Sequence, residues 1–138
     1  MDVVSFNRIH YPELVSWWKS YGWMPPSIDA LASQGFIAVE NGAILAAAFI
    51  YQTCSSIAFM DWIVAKKNQP KETRQKAVKS VIEACKQYAK DEGYDIVYTI
   101  TANIHMQDTY RSLGFKDMEK NAVSMAFNIK ANELEFLK

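Results

Sequence analysis

The sequence predicts an α/β (α+β) fold: a mixed, mostly antiparallel sheet of six or seven strands with a central parallel pair and about four helices. Two observations carry this reading. Apolar runs at residues 36–40 and 43–51 flank Asn41-Gly42, a dipeptide suited to the positive φ angles of a tight hairpin turn. A long stretch with apolar residues at helical spacing separates two further apolar runs, so the strands on either side of it run parallel, joined by a right-handed crossover.

The elements follow in order. Residues 3–6 form a short β-like start, and a helix runs from about His10 to Tyr21, with Pro12 tolerated in its first turn. The Pro25-Pro26 pair breaks it, and Ser27 is placed to cap a second short helix through Ala32. Residues 43–51 are apolar at every position before Tyr51, which marks a central strand covered on both faces. A third strand of the group spans residues 57–64. After the polar break at residues 66–70 comes the longest helix, ending near Asp91, with Val78, Val81, Ile82, Cys85, Tyr88 and Ala89 on one face and Gly93 as its C-cap. Residues 94–101 read as another strand. Asn103 caps a shorter helix ending at Leu113, and residues 115–118 and 123–129 close the chain as strands.

Bulk properties narrow the classes. The 138 residues fit one domain, 1–138, and are half hydrophobic, which excludes a disordered or fibrous chain. Lys plus Arg equals Asp plus Glu at 15 each, so a domain-wide electrostatic footprint for nucleic acid is missing. The apolar run 43–51 is too short to span a bilayer, and MDVVSFN has no leader pattern; the expectation is a cytoplasmic protein with no membrane partner. Cys54 and Cys85 show no metal-ligand spacing, so no metal is expected.

Ligands of such sheets bind beyond the carboxyl ends of parallel strands, where helix N-termini offer free N–H groups. That places the expected site near residues 64–74 and 101–105.

The element order, together with Asn103 and the Tyr110-x-x-Leu113-Gly114-Phe115 pattern that follows it, resembles the GNAT N-acetyltransferase superfamily across nearly the whole chain. Trp17, Pro25-Pro26 and Pro70 sit as in small phage-encoded GNAT-like proteins. The resemblance implies an N-acyltransferase that uses acetyl-CoA and moves the acetyl group directly to a primary amine. Backbone groups of Ile63, Val64 and Ala65 would pair with the pantetheine arm, and the first turns of the long helix would hold the pyrophosphate. An N–H of this strand would polarise the thioester carbonyl. Tyr110 would protonate the departing thiolate, or else it is an amphipathic residue packing at a helix end. Asn103 would touch the ligand, serve as an N-cap, or do both.

The chain departs from the pattern at the pyrophosphate loop. The matching register is Arg74, Gln75, Lys76, Ala77, Val78 and Lys79, with Ala77 and Lys79 where glycine or another small residue belongs. Lys66, Lys67, Lys71, Arg74, Lys76 and Lys79 form a basic cluster around the helix start. They compensate for the lost glycines or simply form a solvated face. Asp61, inside an otherwise apolar strand, is the candidate to receive a proton from the incoming amine, or it bonds to neighbouring backbone. The partner is then a small-molecule or peptide amine, taken up by a monomer or homodimer. The alternative is a GNAT-fold module that has lost catalysis and serves in binding or assembly.

Overall fold

The computed structural model describes residues 1–130. Its sheet has five strands in the spatial order in which they occur along the chain. They are β1 (Asp2–Ser5), β2 (Gln34–Glu40), β3 (Ala43–Tyr51), β4 (Ile57–Ala65) and β5 (Ile96–Tyr98). The α-helices are α1 (Tyr11–Ser20), α2 (Lys71–Asp91) and α3 (Ile104–Ser112), and single 3₁₀ turns occur at Arg8–His10 and Ile28–Ala30.

The expected hairpin forms for the expected reason. Asn41 (φ 52°) and Gly42 (φ 79°) both take left-handed conformations, and β2 and β3 pair antiparallel on either side of them. Gly35 answers a different need. A Cβ built there would lie 2.5 Å from the ring carbons Cδ2 and Cε2 of Phe49, so the ring is admitted only because glycine has no side chain. Six consecutive residues of β3, Leu45 to Ile50, are buried, as a central strand covered on both faces requires.

Two helical layers sandwich the sheet. On one face α2 buries Ala77, Val81, Ile82, Cys85 and Ala89 at helical spacing against Ala46, Ala48, Ile50, Ala58 and Met60, and α3 adds Tyr110. On the other face Leu14, Trp17 and Trp18 of α1 pack on Ile37, Ala47, Phe49 and Val64. Glu72 in the first turn of α2 and Lys90 in its last turn both complement the helix dipole.

Four expectations are corrected. Among the described residues the sheet has five strands and not six or seven, and three α-helices stand in place of about four. The segment read as a second helix after Ser27 tightens into one 3₁₀ turn without a side-chain cap, too short for α-helical hydrogen bonding. Residues 115–118 and 123–129 are not strands: Val123, Met125, Phe127 and Ile129 keep the two-residue alternation but are 79–89% exposed, and among the described residues no strand pairs with them. The parallel pair, β4 with β5, lies at the sheet edge and not at its centre. Among the described residues no helix is long and apolar enough to cross a membrane.

Candidate functional site

The site begins with an irregularity in β4. Ala47 pairs with Val64 but Phe49 pairs with Asp61, so Ala48 alone faces both Trp62 and Ile63. This is a β-bulge, and Trp62 takes φ 59°, a left-handed conformation that costs a bulky residue about 1–3 kcal/mol. Packing holds it there. The indole lies edge-on to Trp18 at 6.3 Å, and its Nε1–H donates to the Tyr51 hydroxyl at 2.8 Å. Tyr51 in turn donates to the Ala30 carbonyl at 2.6 Å.

The parallel pair comes apart shortly before the bulge. β4 and β5 pair only from Ile57 to Phe59 against Ile96 to Tyr98, although β4 continues to Ala65. One side-chain bond spans the point of parting: the Thr99 hydroxyl donates to the Met60 carbonyl at 2.9 Å. Lys66 N–H donates to Leu45 O at 2.9 Å and Val64 pairs with Ala47, so these alternate residues turn their backbone groups toward β3. Ile63 and Ala65 therefore turn theirs to the edge that β5 has left. The Ala65 carbonyl on that edge accepts from the Tyr21 hydroxyl at 2.7 Å.

Asp61 and Tyr110 approach this opening from opposite faces. Asp61 stands opposite Phe49, a core residue of the α1 layer, and cross-strand partners share a face. Tyr110 belongs to the α2 layer, is 7% exposed, and packs its ring on Phe115 at 5.1 Å. Burial pushes the Tyr110 hydroxyl up to about 12; its hydrogen bond with Thr99 lowers the value, and the nearby Asp61 charge raises it. Burial likewise raises Asp61 above the usual carboxylate range, partly offset by the Trp62 N–H that its Oδ1 accepts at 2.7 Å. Asp61 thus bonds to adjacent backbone, one of the two roles expected of it, and stands beside the opening.

The helix termini supply the rest. Asn103 caps α3, its Oδ1 accepting from Met106 N–H at 3.0 Å. α2 starts at Lys71 after Pro70, with no side-chain cap, so the N–H groups of Lys71, Glu72 and Thr73 lie in the turn before intrahelical bonding begins at Arg74, whose N–H reaches Pro70 O at 2.9 Å. Residues 74–79 therefore lie inside the helix and not in a loop before it. Ala77 and Val78 are buried on the sheet side, while Gln75, Lys76 and Lys79 lie with Glu72, Ser80 and Glu83 along an open depression of about 560 Å³ on the outward face of α2. Arg74 is near enough to Tyr21 to act on its hydroxyl, and Lys67 lies over the Tyr21 ring at 4.7 Å, which brings two cations to the carboxyl end of β4. Sequence reasoning missed Tyr21 and Thr99, since neither sits in a pattern that marks such a contact.

The donor set suits an acyl-CoA. Unpaired strand amides fit an amide-bearing arm, and an uncapped helix start with nearby cations fits phosphate. Among the described residues no group of three or more His, Cys, Asp or Glu side chains comes together as a metal site.

The fold is shared with solved acetyltransferases. A solved structure described as a probable acetyltransferase superposes with a TM-score of 0.73 at 17% identity, covering 93% of this chain and 99% of its own. The aminoglycoside acetyltransferase AAC(6')-Iy, bound to a bisubstrate analogue of CoA and acetylneamine, gives 0.68 at 18% identity, covering 92% and 98%. A probable acetyltransferase from Staphylococcus epidermidis gives 0.69 at 20%, covering 86% and 85%. No protein-family model matches the sequence, and no curated protein sequence is detectably similar to it. The likeness is therefore one of fold.

Proposed function

We propose that the chain is an acetyl-CoA-dependent N-acyltransferase that transfers an acetyl group directly to a primary amine. The observation that carries this is the β4–β5 opening, with the backbone of Ile63 and Ala65 turned into it and Asp61 and Tyr110 on its two sides. That AAC(6')-Iy, with the same fold, has been solved with CoA supports the reading.

The chemistry follows from the groups present. An amine arrives as an ammonium ion and must lose a proton before it attacks. Asp61, a carboxylate whose buried position favours holding a proton, takes it. The neutral amine adds to the thioester carbonyl, whose oxygen gains negative charge and is met by a strand N–H at Ile63 or Ala65. Collapse breaks the carbon–sulfur bond and the thiolate leaves. Tyr110, kept neutral by burial, donates a hydrogen bond to that sulfur, and the second proton shed by the nitrogen ends on the thiolate to give CoA thiol.

A second reading has its own support. The amides of residues 74–79 are spent within α2, so the loop that would wrap a pyrophosphate is not built here, as expected of a fold retained for binding alone. Calorimetric titration with acetyl-CoA, followed by thiol release in the presence of mixed primary amines, tests the two. Saturable binding with turnover is the expected result. Saturable binding without turnover favours the binding module, and no binding at millimolar acetyl-CoA overturns the transferase.

A further inference from the structure

The α1 face of β4 and β5 carries side chains that neither core layer covers. Phe59 stands opposite Tyr51 and so lies on the α1 face, and its ring meets Tyr51 at 6.1 Å and Tyr98 at 5.9 Å. Phe59 and Tyr98 are half-buried, and neither belongs to the α1 layer or to the α2 layer. The rings of Tyr51, Phe59 and Tyr98 thus form a continuous floor, with interplanar angles of 41° and 31° between neighbours. Tyr51 is fixed at one end by its bonds to Trp62 and Ala30.

At the end of this floor, where the strands part, stands Asp61, two residues on from Phe59 and on the same face. Among the described residues it is the one carboxylate whose charge acts on both Tyr51 and Tyr110. Residues two apart on a strand are about 7 Å apart along one face. That distance matches an aromatic ring lying over Phe59 whose amine, two carbons away, reaches the Asp61 carboxylate. The floor offers flat surface for a ring along its length and, among the described residues, the Asp61 carboxylate at its end, which pairs one ammonium group and not several.

We propose that the acceptor is a singly charged primary amine joined by a short chain to a flat aromatic ring, seated on Phe59 and Tyr98 with its nitrogen at Asp61. This rests on the acetyl-transfer reading and narrows it to one class of amine, distinct from the sugar amines named with the structural neighbours. The proton leaves the ammonium for Asp61, the nitrogen–carbon bond forms at the acetyl carbonyl, and the sulfur–carbon bond breaks to give CoA thiol.

The test compares 2-phenylethylamine with spermidine and kanamycin as acceptors, alongside direct binding of 2-phenylethylamine to the cofactor-free protein by NMR. The expected result is a kcat/KM at least about tenfold higher for 2-phenylethylamine, and shifts of the Phe59 and Tyr98 ring signals on binding. Tyr98→Ala, at an exposed sheet edge, should raise KM for this amine about tenfold while leaving KM for acetyl-CoA and the melting temperature nearly unchanged. Phe59→Leu, which keeps an apolar side chain against the sheet, should do the same. A preference for spermidine or kanamycin, or ring signals that do not move, would overturn the proposal even where acetyl-CoA is bound and turned over. Absence of acetyl-CoA binding with ring shifts intact would instead remove the transferase reading and leave the amine site standing.

Discussion

Replacing Tyr110 with Phe removes one hydroxyl and leaves the ring that packs on Phe115. The phenol is pushed up to about 12 by burial, whereas a free thiol titrates near 8.5. Complete transfer of the phenolic proton to a free thiolate is therefore uphill by roughly 3.5 units, or about 5 kcal/mol. That gap excludes early proton release and assigns the hydroxyl a narrower task, hydrogen bonding to the sulfur as charge develops on it. A hydrogen bond to a charged group is worth about 1.5–3 kcal/mol, so Tyr110→Phe should lower kcat about 10- to 150-fold. KM for acetyl-CoA should change less than about twofold, because the lost bond forms only as the thiolate leaves. The fold should lose about 1 kcal/mol with the Thr99 bond, and no orphan is left, since the Thr99 hydroxyl still donates to Met60 O. Initial rates read by thiol release across pH 6–10 give both parameters, and no alkaline limb due to Tyr110 should appear in that range. An unchanged kcat, or an effect confined to KM, would refute the assignment.

Three further outcomes are expected. Burial raises the Asp61 pKa, so the folded state holds this proton more firmly than the unfolded chain. That preference favours the fold fully in acid and is lost as pH rises through the folded value. Asp61→Asn, which cannot ionise and keeps an oxygen for the Trp62 N–H, should melt higher than the native protein at pH 7, lose that advantage in acid, and abolish acetyl transfer; an unchanged melting difference across pH would contradict the burial. Gly35→Ala drives a methyl group to 2.5 Å from Phe49, a fully buried ring wedged edge-on against Phe6 at 4.9 Å, and should cost about 1–3 kcal/mol in denaturant unfolding. In a thiol-labelling experiment exposed Cys54 should react in the native state, while Cys85, buried and pushed up to about 12, should react only on unfolding.

Where local chemistry decides structure, the sequence was readable. Asn41-Gly42 announces its turn because few other residues accept two successive positive φ angles, and the unbroken apolar run of β3 announces burial on both faces. Asn103 could be placed at a helix start because its short side chain caps the next turn. The opening itself was legible only by resemblance. Nothing in Asp61-Trp62 signals a left-handed residue in mid-strand; Trp18 and Tyr51, distant in sequence, impose it. The run at residues 94–101 reads as one strand, yet only Ile96–Tyr98 pairs with β4, since an apolar run does not show where its partner stops. At the chain's end, alternating Val123, Met125, Phe127 and Ile129 state a preference that backbone pairing must complete, and alternation alone does not provide a partner. The helix start was readable as well: the break at residues 66–70 places residues 74–79 within the long helix, where the structure has them.

The extra residue in β4 amounts to a count, and counts are inherited differently from side chains. Were Trp62 deleted, Asp61 would directly precede Ile63, Ile63 alone would stand opposite Ala48, and Val64 would keep its place opposite Ala47. Val64 would stay with the tryptophans of α1 and Ile63 with α2, and β4, now a regular strand, would be free to run alongside the chain after Tyr98 instead of parting from it. Substitution cannot accomplish this: Asp61 and Tyr110 could both be exchanged for inert residues and the strands would still diverge. The shape of the cleft and the chemistry inside it can therefore be lost independently, one by a change of length and the other by a change of letter.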